Sequence, residues 1–130
     1  GGITIMFIYR NPNPCGSYVG DCVVRALSLA LDMGWYETYI ELAIQGFALC
    51  DMPSSNKVWG QLLKSYGFRR HVIPDTCPDC YTIKDFAGEH FKGTYIVCTG
   101  THVVCVKNGN YMDSWDSGDE TIAFYWYKEE

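Results

Sequence analysis

The order of the sequence patterns predicts an α+β fold in which N-terminal helices pack on a C-terminal antiparallel sheet. Apolar residues recur at helical spacing over 22–66, whereas β-branched runs dominate from position 94 onward. Asn108-Gly109 is a strong hairpin signal, because both turn positions require positive φ. The chain has 130 residues, 48% of them hydrophobic, and we expect 1–130 to form a single domain with its own core.

The N-terminal part is predicted to begin with an extended segment and to lead through a loop into the first helix. Ile3–Tyr9 is apolar and β-branched, which indicates a short strand, and Asn, Pro and Gly mark a loop over 11–17. The first helix is predicted over Cys22–Met33, with Asp21 as an N-cap whose carboxylate accepts from the first-turn amides. Gly34 would end this helix in a left-handed conformation.

Two more helices and a series of strands complete the predicted order. The helices cover Trp35–Leu49 and Asn56–Tyr66. Apolar residues at helical spacing predict one buried side for the former, made of Tyr36, Tyr39, Ile40, Ala43, Ile44 and Phe47. The remaining predicted elements are strands over 68–73, 94–98, 102–107, 110–113 and 122–127 and a short helix over 82–91.

Charge and cysteine content argue against several classes of protein. The net charge is −5 and no dense Lys/Arg run occurs, which disfavours nucleic-acid binding. No stretch approaches the ~18 apolar residues of a membrane-spanning helix, so we expect no membrane association. Met6 is typical of a natural start, so 1–5 are either an added remnant or part of a longer frame, and they lack the features of a secretory signal. The seven cysteines, an odd number, leave at least one thiol unpaired within the chain. Together with the lack of a secretory signal, this favours a reducing cytoplasm.

Cys22 is the candidate nucleophile, because it lies in the predicted first turn of the first helix. Backbone amides there lack intrahelical partners and the helix dipole is positive, so a thiolate, the reactive form of cysteine, is stabilised. An ordinary buried cysteine is the alternative. The later occurrence of a histidine and a polar residue that could orient it favours a nucleophile with a base.

His102 and Asp113 are the candidate base and its orienting acid. The Asn108-Gly109 turn pairs Lys107 with Asn110, and extending this register places Asp113 diagonal to His102 on the same strand face. The two side chains should therefore reach a hydrogen bond. In such a set the cysteine attacks a carbonyl carbon, the histidine transfers the proton and the aspartate orients the imidazole.

Several other residues compete for these roles. Asp116 is a rival to Asp113, although it could also close a turn with Ser117. Cys77 and Cys80 have the spacing of half a zinc site or of a redox disulfide, but no second pair at that spacing follows. We therefore expect a structural turn there, with a metal or disulfide clip as the alternatives, and no bound cofactor.

Nearly the whole chain from Met6 resembles the papain-like cysteine peptidase superfamily. The segment around Gly20-Asp21-Cys22 and the run from His102 to Trp115 are similar to small papain-like proteins of Gram-positive bacteria and their phages. Asp113-Ser114-Trp115 resembles the Asn-Ser-Trp segment of the superfamily, with Asp in place of Asn. The resemblance implies a papain-like fold, the catalytic set Cys22, His102 and Asp113, and a Trp115 that shields the His–Asp hydrogen bond.

The chain departs from the superfamily in its oxyanion donor. Papain-like peptidases carry a glutamine shortly before the cysteine, and here both glutamines lie downstream of Cys22. The Cys22 backbone amide is then expected to act with a donor from the preceding loop, for which Asn13, Asn11 and Ser17 are the candidates.

These observations together predict a cysteine hydrolase of the peptidase or amidase type that forms a thioester acyl-enzyme on a peptide or amide substrate. The alternatives are a papain-like interaction module with weak or no turnover and an acyl transferase that uses the same three residues. The sequence leaves the substrate and the oligomeric state open.

Overall fold

The computed structural model describes residues 6–74 and 77–128, which form a mixed α+β structure and confirm that class. The helices are α1 (Cys22–Leu31), α2 (Trp35–Leu49), α3 (Asn56–Ser65) and α4 (Ile83–Glu89). The strands are β1 (Phe7–Tyr9), β2 (Phe68–Val72), β3 (Thr94–Cys98), β4 (Val103–Lys107), β5 (Asn110–Asp113) and β6 (Phe124–Lys128). The first residues of the strand predicted over Ile3–Tyr9 lie outside the described part. Within that part, none of the helices combines the length and apolarity needed to cross a bilayer.

All six strands form one sheet in the order β1-β5-β4-β3-β6-β2. The pairs are antiparallel except β1 with β5, so the sheet is mostly antiparallel, and β1 and β2 add strands from before the predicted C-terminal sheet. β1 joins from the N-terminus in the parallel sense, and β2 forms the opposite edge. Parallel neighbours need a long crossover, and the chain between β1 and β5 supplies one that contains the four helices.

The β4–β5 hairpin has the predicted register. Asn108 and Gly109 have φ of 51° and 84°, and Lys107 pairs with Asn110. This pairing brings Asp113, at the end of β5, beside the start of β4. Because β4 begins directly after His102, Asp113 lies close to that histidine.

The sheet is covered on both faces, since successive side chains of a strand point in opposite directions. On one face, Ile96 and Cys98 of β3 pack with the buried sides of α1 and α3. On the other, Tyr95 and Val97 pack with α4. The face that carries α1 also carries Cys22.

α1 ends earlier than predicted. Its last residue is Leu31, and Asp32 takes the left-handed C-cap conformation with φ of 51°. Gly34 does not end this helix; it has φ of −64° and is the N-cap of α2. A short aspartate tolerates the left-handed region, so the glycine is not needed at that position.

The buried side of α2 is not the predicted one. Its buried residues are Thr38, Leu42 and Gly46, which recur every four residues. The predicted apolar side is mostly exposed, with Tyr36, Tyr39, Ile40, Ile44 and Phe47 all at least half accessible. A Cβ on Gly46 would lie 2.7 Å from the Asp51 carbonyl oxygen, so the close packing of this side requires glycine.

Candidate active site

Cys22 is the first residue of α1 and its sulfur contacts the start of β4. The sulfur accepts hydrogen bonds from the His102 side chain and from the Val103 backbone amide. Burial raises the pKa of the Cys22 thiol, but these bonds and the nearby positive charges of His102 and Arg25 outweigh it, so the pKa lies below its ordinary value. The surroundings of Cys22 therefore favour the thiolate form.

His102 lies between Cys22 and Asp113. Its Nε2 is 2.6 Å from Asp113 Oδ2, which leaves Nδ1 for the bond with Cys22. Burial lowers the pKa of His102, but the bonds to Asp113 and Cys22 raise it to about 9. The geometry and the two opposite shifts favour a thiolate–imidazolium pair.

Asp113 is buried, and donors surround its carboxylate. Oδ2 accepts from Ser117 Oγ at 2.7 Å, and Oδ1 accepts from the Ser114 amide and from Arg25 Nη1, each at 2.8 Å. Burial raises the pKa of Asp113, but the bonds from His102, Ser117 and Arg25 hold it below its usual value. Asp113 therefore stays ionised and fixed in orientation.

Arg25 connects the candidate acid to the residue before the nucleophile. Its Nε lies 2.8 Å from Asp21 Oδ1, on the other side of the guanidinium from Asp113. Asp21 occupies the N-cap position of α1, but its side chain makes no capping hydrogen bond, so that prediction is wrong. The carboxylate is instead bound by Arg25, Asn13 and Trp35. Asp21 thereby leaves the first-turn amides of α1 without a side-chain cap.

Cys22 and His102 line a cleft of about 220 Å³ between the head of α1, the 98–103 turn and the start of α3. Trp115 lies beside it, its ring centroid 5.2 Å from that of His102. Trp115 is 46% exposed, so it is not a core residue. Its contact with His102 is consistent with the shielding role that the resemblance implies.

The predicted oxyanion donors lie away from this cleft. Asn13 donates to Asp21 Oδ2 at 3.2 Å, and Asn11 donates to the Ser17 carbonyl at 3.4 Å. Within the described part of the chain, none of the three lines the cleft. The cleft instead contains Asn56, whose Oδ1 accepts from Trp59 Nε1 at 3.1 Å, so that its NH₂ group is the end left to meet a ligand.

The competing residues have structural partners. Asp116 accepts from the Tyr111 hydroxyl and the Gly118 amide, and it therefore closes a turn. His90 stacks on Phe86, and His71 stacks on Tyr125. Neither histidine lines the cleft formed by the described residues.

Cys77 and Cys80 form a disulfide, which is one of the alternatives left open above. Disulfides are typical of oxidising compartments, so this pair does not favour the reducing cytoplasm expected from the sequence. Over 6–74 and 77–128, no group of three or more His, Cys, Asp or Glu side chains is placed to hold a metal ion.

Sequence reasoning missed three features of the site. They are the bridging role of Arg25, the hydrogen bond from Ser117 to Asp113 and the position of Asn56 at the cleft. Asp21 and Arg25 are four residues apart in a helix, which signals their ion pair. No local signal indicates the bond from Arg25 to Asp113, because it joins positions far apart in the chain.

Comparison with known proteins finds no matching family model, no matching curated protein and no matching solved structure. The site joins a thiol of lowered pKa to an imidazole and the imidazole to a buried carboxylate. In such an arrangement the thiolate can act as a nucleophile while the imidazole transfers the proton.

Proposed function

We propose that the protein is a papain-like cysteine hydrolase that cleaves a peptide or related amide through a thioester acyl-enzyme. The observation that supports it is the hydrogen-bonded chain from Cys22 through His102 to Asp113. The surrounding charges lower the pKa of the thiol and raise that of the imidazole, which is what a nucleophile and its proton donor need.

In the proposed reaction, the Cys22 thiolate attacks the carbonyl carbon and forms a C–S bond, while the C=O π electrons move to oxygen. We expect the backbone amide of Cys22, in the uncapped first turn of α1, to bind this oxyanion. Collapse of the intermediate breaks the C–N bond, and His102 gives its proton to the leaving nitrogen. Water then attacks the thioester, His102 takes its proton, and the thiolate leaves as the free acid forms.

The test uses 4-nitrophenyl acetate, an activated ester that needs no knowledge of the natural substrate. We expect a burst of 4-nitrophenolate, an acetyl group on Cys22 by peptide mass spectrometry, and continued turnover. Cys22→Ala should abolish all three, whereas Cys50→Ala, which removes an exposed thiol, should abolish none. Acetylation spread equally over the exposed cysteines would overturn the proposal, and a thioester that resists water but reacts with an added amine would show an acyl transferase instead.

An interaction module without turnover is the second candidate, and the exposed side of α2 favours it. Ile40, Ile44 and Phe47 are 58%, 64% and 88% accessible, and clustered apolar surface of this kind often marks a protein contact. In that case Cys22 would show no burst with the ester. Phe47→Asp would then remove the binding of a partner protein to this exposed side of α2.

A further inference from the structure

A second pocket of about 350 Å³ adjoins the cleft that contains Cys22. Both cavities are lined by Gly20, Val23 and Ser54, so they lie side by side. The volume falls in the ~300–1,000 Å³ range of small-molecule sites. The pocket is thus next to the proposed catalytic site and large enough for a substrate group.

The walls of this pocket are mainly apolar. Val24 and Leu42 form its floor, and Trp35 and Tyr39 line it with rings that stack at 5.2 Å between centroids. We refer to these four residues as the apolar subsite. Tyr39 is 50% exposed, so the subsite is open to the surface.

The Trp35 indole N–H and the neighbouring Asp21 carboxylate are already paired. The Trp35 indole N–H donates to Asp21 Oδ2 at 3.0 Å, and Asp21 also carries the ion pair with Arg25. A charged ligand group would have to compete with these bonds, whereas an apolar one would not. The same bond ties Trp35 to the residue that precedes Cys22, which fixes the subsite relative to the nucleophile.

We infer that the apolar subsite binds an aromatic or branched aliphatic side chain on the acyl part of the substrate. This inference rests on the proposed hydrolase function. His102 must face the leaving nitrogen to protonate it, and His102 lines the cleft but not this pocket. A side chain bound next to Asp21 and Val23 therefore belongs to the part that stays on Cys22.

The test compares 4-nitrophenyl esters of N-acetyl-leucine, N-acetyl-phenylalanine, N-acetyl-glycine and N-acetyl-lysine, each corrected for its reaction with N-acetylcysteine. We expect the leucine and phenylalanine esters to acylate Cys22 about 10- to 100-fold faster than the glycine ester. Tyr39→Ala should reduce this ratio. Val19→Asp, at a 56% exposed position on the rim, should reduce it and raise the rate with the lysine ester.

The matched controls are Tyr36→Ala and Tyr18→Asp, which change exposed residues that do not line the pocket and should leave the ratio unaltered. Equal acylation by all four esters, or a ratio that neither subsite variant changes, would overturn the inference alone. Failure of wild-type protein to react with 4-nitrophenyl acetate would instead overturn the hydrolase proposal.

Discussion

Cys22 and Cys98 line the same cleft, yet only at Cys22 do the surrounding groups outweigh burial and lower the pKa of the thiol. Burial raises the pKa of both thiols. For Cys98, at the end of β3, the distant charge of Arg70 offsets little of this effect, and Cys22 adds to it. For Cys22, the His102 and Val103 hydrogen bonds reverse it.

The difference shows that a place in the cleft is not enough to lower the pKa of a thiol. The start of α1 favours a thiolate through its dipole, but the decisive contacts come from the start of β4. Reactivity at Cys22 therefore depends on the packing of α1 against the sheet. Mutations that remove its partners should make Cys22 resemble Cys98.

His102→Ala should have the largest effect. Without the imidazole, burial of the Cys22 thiol is opposed only by the Val103 amide and the charge of Arg25, so the pKa of Cys22 should rise and its thiolate fraction should fall. We expect turnover of 4-nitrophenyl acetate to fall by about 10²- to 10⁴-fold, the usual contribution of a general acid–base group. The rate of Cys22 alkylation by iodoacetamide, followed against pH by mass spectrometry, measures the shift.

His71→Ala is the control for this variant, because His71 stacks on Tyr125 and does not line the cleft. It should leave the alkylation profile of Cys22 unchanged. An unchanged profile in His102→Ala as well would contradict the assignment of His102 as the partner of the thiolate.

Asp113→Asn should have an intermediate effect. Because Asp113 and Cys22 together raise the pKa of His102 to about 9, loss of the Asp113 charge should lower that pKa toward the ordinary ~6.5. The imidazolium would then lose its proton at a lower pH, which narrows the pH range of the thiolate–imidazolium pair. We expect turnover to fall about 10- to 100-fold. The His102 titration, followed by NMR of its ring protons, tests the direction.

Asp116→Asn is the matched control, since Asp116 binds Tyr111 and Gly118 and not the histidine. It should not move the His102 titration. If Asp116→Asn moved the His102 titration more than Asp113→Asn did, Asp116 and not Asp113 would be the residue that orients His102.

Features set by local sequence were predicted well. Asn108-Gly109 dictates its own turn, and the turn dictates the register that places Asp113 near His102. The exposed side of α2 was predicted wrongly, because periodicity gives an apolar side but not the neighbour that covers it. Leu42, on the buried side, packs in the core with residues of α1 and α3, and these contacts join helices that lie apart in the chain.

Arg25→Lys should have the smallest effect of the three variants. Arg25 uses two nitrogens of one planar group to reach Asp21 and Asp113, and a lysine has a single nitrogen that cannot hold both in that geometry. The charge near Cys22 is kept, so we expect the alkylation profile to change little. Turnover should fall about 3- to 10-fold, because Asp113 orients His102 less firmly.

Ser28→Ala provides the control for Arg25→Lys, because Ser28 is equally buried on the same helix but bonds to the Met33 carbonyl. If Arg25 only stabilises the fold, both variants should lower the melting temperature without altering the His102 titration. If Arg25 positions Asp113, only Arg25→Lys should shift that titration toward lower pH. The reactive state of Cys22 would then depend on α1 twice, through the helix start and through Arg25 one turn further along.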